Sequence, residues 1–128
     1  MIADAIVHEA IHALLYMQEQ KKPWVHDPDL YGPAVRTLSP WSGNPLPLRP
    51  FMQAAFVWYG LLQFWTRALA RGAFSPACAR QRMAQAASGF LGPSLLEQVA
   101  PYRAGVADDV LLTIDRMQQQ VKQAFVQI

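Results

Sequence analysis

A chain of 128 residues, 52% of them hydrophobic, is long enough to bury one core, and a single domain is expected. Its 11 basic and 9 acidic side chains form no basic block and leave a formal charge of +2, which excludes nucleic acid and anionic membrane surfaces as partners selected by charge. One cysteine, Cys78, permits no internal disulfide and suits a reducing compartment, so a cytoplasmic protein is expected.

The chain begins with a helical pattern over about residues 2 to 20. Ile2, Ile6, Val7, Ile11, Leu14 and Leu15 recur at three- and four-residue intervals, and Pro23 stops the run. Inside it lies His8-Glu9-Ala10-Ile11-His12, the pentapeptide H-E-x-x-H. Residues four apart share a helix face, so two imidazoles at this spacing can hold one metal ion, with Glu9 beside them to move protons to and from a bound water.

From Lys21 to Leu48 the chain carries Pro23, Pro28, Pro33, Pro40, Pro45 and Pro47, with Pro50 just beyond, and no helical period survives that spacing. A long irregular loop that packs over the motif helix and lines a site is expected, anchored by Trp24, Tyr31 and Trp41. A second helix starts near Arg49 or Pro50 and ends at Gly72. Its run from Phe51 to Trp65 is apolar nearly all round, too short to span a membrane and interrupted by Gln53 and Gln63, so it reads as the central buried helix.

Ser75-Pro76 opens a third helix that reaches about Ser88, before Gly89. Ser94-Leu95-Leu96-Glu97 is a capping-box pattern for a short fourth helix ending before Pro101. Asp108 and Asp109 begin a fifth, whose stripe Val110, Leu111, Ile114, Met117, Val121 and Phe125 faces the core, with Gln118-Gln119-Gln120 read as its solvated face. No stretch alternates with the period of a half-buried strand. The expected fold is all-α: a compact bundle of about five helices in one domain over 1–128, with the motif helix over 1–22, the Pro-rich loop over 23–49 and the remaining helices over 50–128.

An all-α domain with seven residues before His8 has no strand to align a peptide backbone, which weighs against a zinc peptidase. A wider pattern, however, is similar to a known family. His8-Glu9-Ala10-Ile11-His12-Ala13-Leu14-Leu15, then Ser39-Pro40-Trp41, Asn44-Pro45-Leu46-Pro47-Leu48 and the aromatic run from Phe51 to Trp65 resemble the HExxH-type 2-oxoglutarate-dependent peptide β-hydroxylases and related HExxH peptide-modification proteins, as a short or truncated member. The resemblance covers about residues 5 to 67. It implies Fe(II) on His8 and His12, 2-oxoglutarate on the same iron and a peptide substrate hydroxylated at its β-carbon, with Glu9 as proton-handling neighbour or ligand.

A third ligand is then required, and residues 49 to 72 hold no histidine; His26 in the loop is a permitted candidate, with Asp27 and Asp29 as alternatives beside it, although Asp between prolines commonly starts a turn. Arg49 and Arg36 are the arginines placed in sequence order to bind the 2-oxoglutarate carboxylate. Two other readings stand beside this one: a catalytically inactive binding or scaffold relative, and a hydrolase using Zn(II) with Glu9 as base. A region missing before the motif would leave an aromatic face exposed, and self-association to a homodimer is expected from it.

Overall fold

The computed structural model describes residues 2–126 and shows an all-α bundle of five helices. They are α1 (Ile2–Lys21), α2 (Leu48–Arg71), α3 (Pro76–Ser88), α4 (Leu95–Val99) and α5 (Asp108–Val126). Among the described residues no helix is long and apolar enough to cross a membrane. The central element is α2, which buries Leu48, Phe51, Met52, Ala55, Val57, Leu61, Leu62, Trp65 and Ala68 and packs against α1, α3 and α5.

Local signals explain the helix limits. Gly72 ends α2 in the left-handed conformation (φ 66°), with its N–H turned back to the carbonyls of Ala68 and Leu69. Ser75 caps α3 by accepting the Cys78 N–H, and Ser94 caps α4 by accepting the Glu97 N–H. On α5 the residues Val110, Leu111, Ile114, Met117 and Val121 are buried, as the apolar spacing requires.

Gln118 departs from its expected solvated position. It is 1% exposed, and its side chain joins α5 to the start of α4 and the segment before it: Oε1 accepts the Leu95 N–H at 2.8 Å, and Nε2 donates to the carbonyls of Phe90 (3.1 Å) and Pro93 (3.0 Å). Gln119 and Gln120 are exposed.

The Pro-rich connection is more ordered than an irregular loop. It contains a 3₁₀ turn at Pro28–Tyr31 and two short antiparallel strands, β1 (Arg36–Leu38) and β2 (Pro45–Pro47), with Thr37 opposite Leu46. The Ser39 N–H donates to the Asn44 carbonyl at 2.9 Å, so Asn44 and Leu46 face β1, and Pro45 and Pro47 turn their nitrogens away from it. Proline thus removes no ladder bond here. Gly43 closes the turn at φ 74°.

Ser39 and Trp41 fasten this hairpin to the bundle. The buried Ser39 hydroxyl accepts the N–H groups of Trp41 and Ser42, both at 3.3 Å. Trp41 stacks on Trp58 (centroids 5.9 Å apart), meets Phe90 edge-on (4.9 Å) and donates its indole N–H to the Ala86 carbonyl at 3.0 Å. Gly89 gives it room, since a Cβ there would lie closer than 3.0 Å to the indole. The second anchor, Trp24, is buried against Phe56 and accepts the Ala107 N–H on its carbonyl at 2.8 Å, while Val25 bridges to Val106.

Candidate functional site

The H-E-x-x-H residues occupy α1 as expected. The rings of His8 and His12 lie edge to face, with centroids 4.7 Å apart. Glu9 follows His8 by one residue, so it projects about 100° further round the helix. Its side chain is 80% exposed, with Oε1 3.7 Å from His8 Nδ1.

This pair does not extend into a metal centre. His26 is exposed on a loop whose backbone is tied elsewhere: its N–H donates to the Gly105 carbonyl at 2.9 Å, and its side chain borders a depression with Lys22, Arg103, Asp108 and Asp109. Asp27 is used locally, accepting the Asp29 N–H at 3.0 Å as the cap of the 3₁₀ turn. Among the described residues no three His, Cys, Asp or Glu side chains converge to hold an ion. An iron or zinc centre needs at least three protein ligands, and two histidines on an open helix face do not meet that requirement. The expectations of Fe(II) with 2-oxoglutarate, of Zn(II), and of a metal-dependent hydroxylase or hydrolase with Glu9 as its proton carrier are therefore corrected.

The two arginines also have other partners. Arg36 donates through one Nη to the carbonyls of Val35 (2.9 Å) and Gly32 (3.3 Å), bracing the start of β1. Arg49 forms an ion pair with Glu19, whose side chain is buried between α1 and α2, and Gln53 donates to the same carboxylate at 2.6 Å. Arg49 is thereby neutralised by the protein itself. Glu19 was legible in the sequence only as one of several polar residues at a helix end; its partners lie about thirty residues away in sequence, and no local spacing announces them.

The Glu19–Arg49–Gln53 cluster lies at a cleft of about 470 Å³ between α1, the Pro-rich connection and the first turn of α2. His12 and Tyr16 line it from α1, and Tyr31 lines it from the 3₁₀ turn, held by its hydroxyl donating to the Val25 carbonyl at 2.8 Å. Of the predicted site residues, the fold brings only His12 and Arg49 to this cleft. With its one cation already paired, such a cleft is suited to hold an apolar or aromatic group with a polar edge.

The surface that adjoins it is more unusual. Of the twenty residues of α1 only Leu15 is buried, while Val7 and Ile11 pack partly against the core. On the outer side, Ile2 (80%), Ile6 (64%), Leu14, Tyr16 and Met17 (61%) are exposed. The apolar spacing read as one stripe is thus two: Val7, Ile11 and Leu15 face α2, and Ile2, Ile6, Ala10, Ala13 and Met17 run along the opposite side. A helix apolar on both faces ordinarily has both covered.

No protein-family model matches the chain, and comparison with curated proteins and with solved structures likewise finds no match. The resemblance to the HExxH-type peptide β-hydroxylases thus has no support from these comparisons and no ligand set in the fold. It is withdrawn together with its cofactors. The Ser39-Pro40-Trp41 segment that contributed to it is accounted for by the packing of the hairpin.

Proposed function

We propose that this domain is a non-catalytic protein-interaction module that pairs with a second copy of itself through the outer face of α1. The observation that carries the reading is the exposed stripe Ile2, Ile6, Ala10, Ala13 and Met17, with Leu14 and Tyr16 at its margins. Scattered surface hydrophobics need no explanation, but a contiguous row along one helix is the usual mark of an interface.

The stripe is complementary to itself. An antiparallel two-fold centred between Ile11 and His12 sets Ala10 against Ala13 of the second copy and Ile6 against Met17. Ile2 then lies under the aliphatic stem of Lys21. Small residues meet at the crossing, where backbones approach, and large ones meet on either side. The two helix dipoles oppose one another, which also favours this direction.

A seam about 30 Å long buries on the order of 500–600 Å² per copy, hence about 1,000–1,200 Å² in all, which lies at the lower edge of specific interfaces. A dissociation constant in the micromolar range is expected. The lone thiol, Cys78, fits a reducing, cytoplasmic setting for such a module.

Sedimentation equilibrium tests the reading. The wild type should shift from monomer to dimer across the micromolar range, and Ile6→Glu with Met17→Glu should remain monomeric with an unchanged helical signal, since both positions are exposed. Ile6→Lys with Met17→Glu should restore the dimer, because the antiparallel register sets each lysine against a glutamate. A wild type that stays monomeric at millimolar concentration refutes the proposal, and a dimer unaffected by Ile6→Glu/Met17→Glu refutes the surface.

A further inference from the structure

Charge is distributed unevenly over the helices. Residues 50 to 96 contain four arginines, Arg67, Arg71, Arg80 and Arg82, and no carboxylate, whereas the other residues contain seven basic and nine acidic side chains. Among the described residues none of these four arginines is within ion-pair distance of an acid. Arg67 and Arg71 are four apart on α2 and share one face.

That face borders a groove of about 410 Å³ where α2 turns into α3. Its apolar lining comes from Gly60, Phe64, Ala68 and Phe74, with the rings of Phe64 and Phe74 6.3 Å apart and only partly buried. Both arginines are exposed along it. Asp4, the acid that reaches this part of α2, is occupied by the Trp65 indole N–H at 2.8 Å. A cation in the last turn of α2 compensates the helix dipole, which gives Arg71 a structural role but leaves Arg67, one turn earlier, without one.

We propose that this groove docks an acidic protein segment, seating one apolar side chain against Phe64 and Phe74 with carboxylates over Arg67 and Arg71. Charge complementarity selects an acidic partner, and the guanidinium fork suits carboxylates at the groove edge. The apolar lining favours a peptide over a nucleic acid: a nucleic-acid backbone is held by many phosphate contacts, and this groove offers two cations beside an aromatic surface. The site is separate from the α1 stripe and does not depend on self-association.

Fluorescence anisotropy with a labelled peptide carrying one phenylalanine between pairs of glutamates tests the proposal. The wild-type protein should bind it, added salt should weaken the complex, and Arg67→Gln with Arg71→Gln should weaken it by about tenfold or more. Arg80→Gln, at an exposed position of α3 outside the groove, should change binding by less than about twofold. Both arginines of the double variant are exposed, and a circular dichroism melt confirms that it folds. Equal binding by the double variant overturns the assignment, as does equal binding of peptides with the glutamates replaced by glutamine or the phenylalanine by serine. Absence of peptide binding overturns it too, and tighter binding of a single-stranded oligonucleotide or of phosphatidylserine vesicles transfers the surface to another partner class.

Discussion

Replacing Gln118 by leucine isolates the hydrogen bonds that tie α5 to the start of α4 and the segment before it, because leucine nearly preserves the volume at a site 1% exposed. Three backbone groups lose a partner: the Leu95 N–H and the carbonyls of Phe90 and Pro93. The bonds to Leu95 and Phe90 are buried and the one to Pro93 only partly so, which leaves water access to the third. A buried group left unsatisfied costs about 1–3 kcal/mol, so the first two set a destabilisation of roughly 3 kcal/mol, slightly offset by the added apolar burial. With a urea dependence of about 1.5 kcal/mol/M, the unfolding midpoint should fall by about 2 M. Gln119→Leu, one residue along and exposed, should move it by no more than about 0.3 M. A Gln118→Leu midpoint within about 0.5 M of wild type, at unchanged slope, would refute the argument that this side chain is the clasp.

Gly89→Ala places a methyl group against the Trp41 indole, so Trp41 must leave its packing and its bond to Ala86. We expect a loss of about 2 kcal/mol and a diminished near-ultraviolet dichroism, and an unaltered spectrum would contradict the close approach. At Gly60, an added Cβ would lie 2.5 Å from Ile11 Cδ1, the atom that Ile11→Val removes. Gly60→Ala should thus be nearly neutral or unfavourable alone, yet stabilise the Ile11→Val background by up to about 1 kcal/mol through helix propensity. Additive effects in that double-mutant cycle would show that α1 and α2 do not meet there.

The helices were legible because their signals are local. Ser75, Ser94, Gly72 and the stripe of α5 each act within a few residues, and the structure places them where the pattern does. The hairpin was not, because six prolines hide a strand whose one inward residue between prolines, Leu46, is too short a pattern to alternate. Gln118 was missed for a related reason: composition marks a glutamine as solvated, and only the arrival of three backbone groups from another part of the chain makes its burial favourable.

The candidate site shows the same division in its chemistry. H-E-x-x-H fixes two imidazoles on one face of α1, and the structure keeps them there, but a centre is completed by residues remote in sequence. The chain of connections decides where those go: the Val25–Val106 bridge and the His26–Gly105 bond draw the loop toward the start of α5, so His26 is carried away from the pair. The same α1 spacing that suggested one amphipathic stripe contains two, since a four-residue interval starting at Ile2 and another starting at Val7 fall on opposite sides of a helix. Covering one with α2 leaves the other open, and it is this second, unspent apolar face that makes association the physical problem α1 poses.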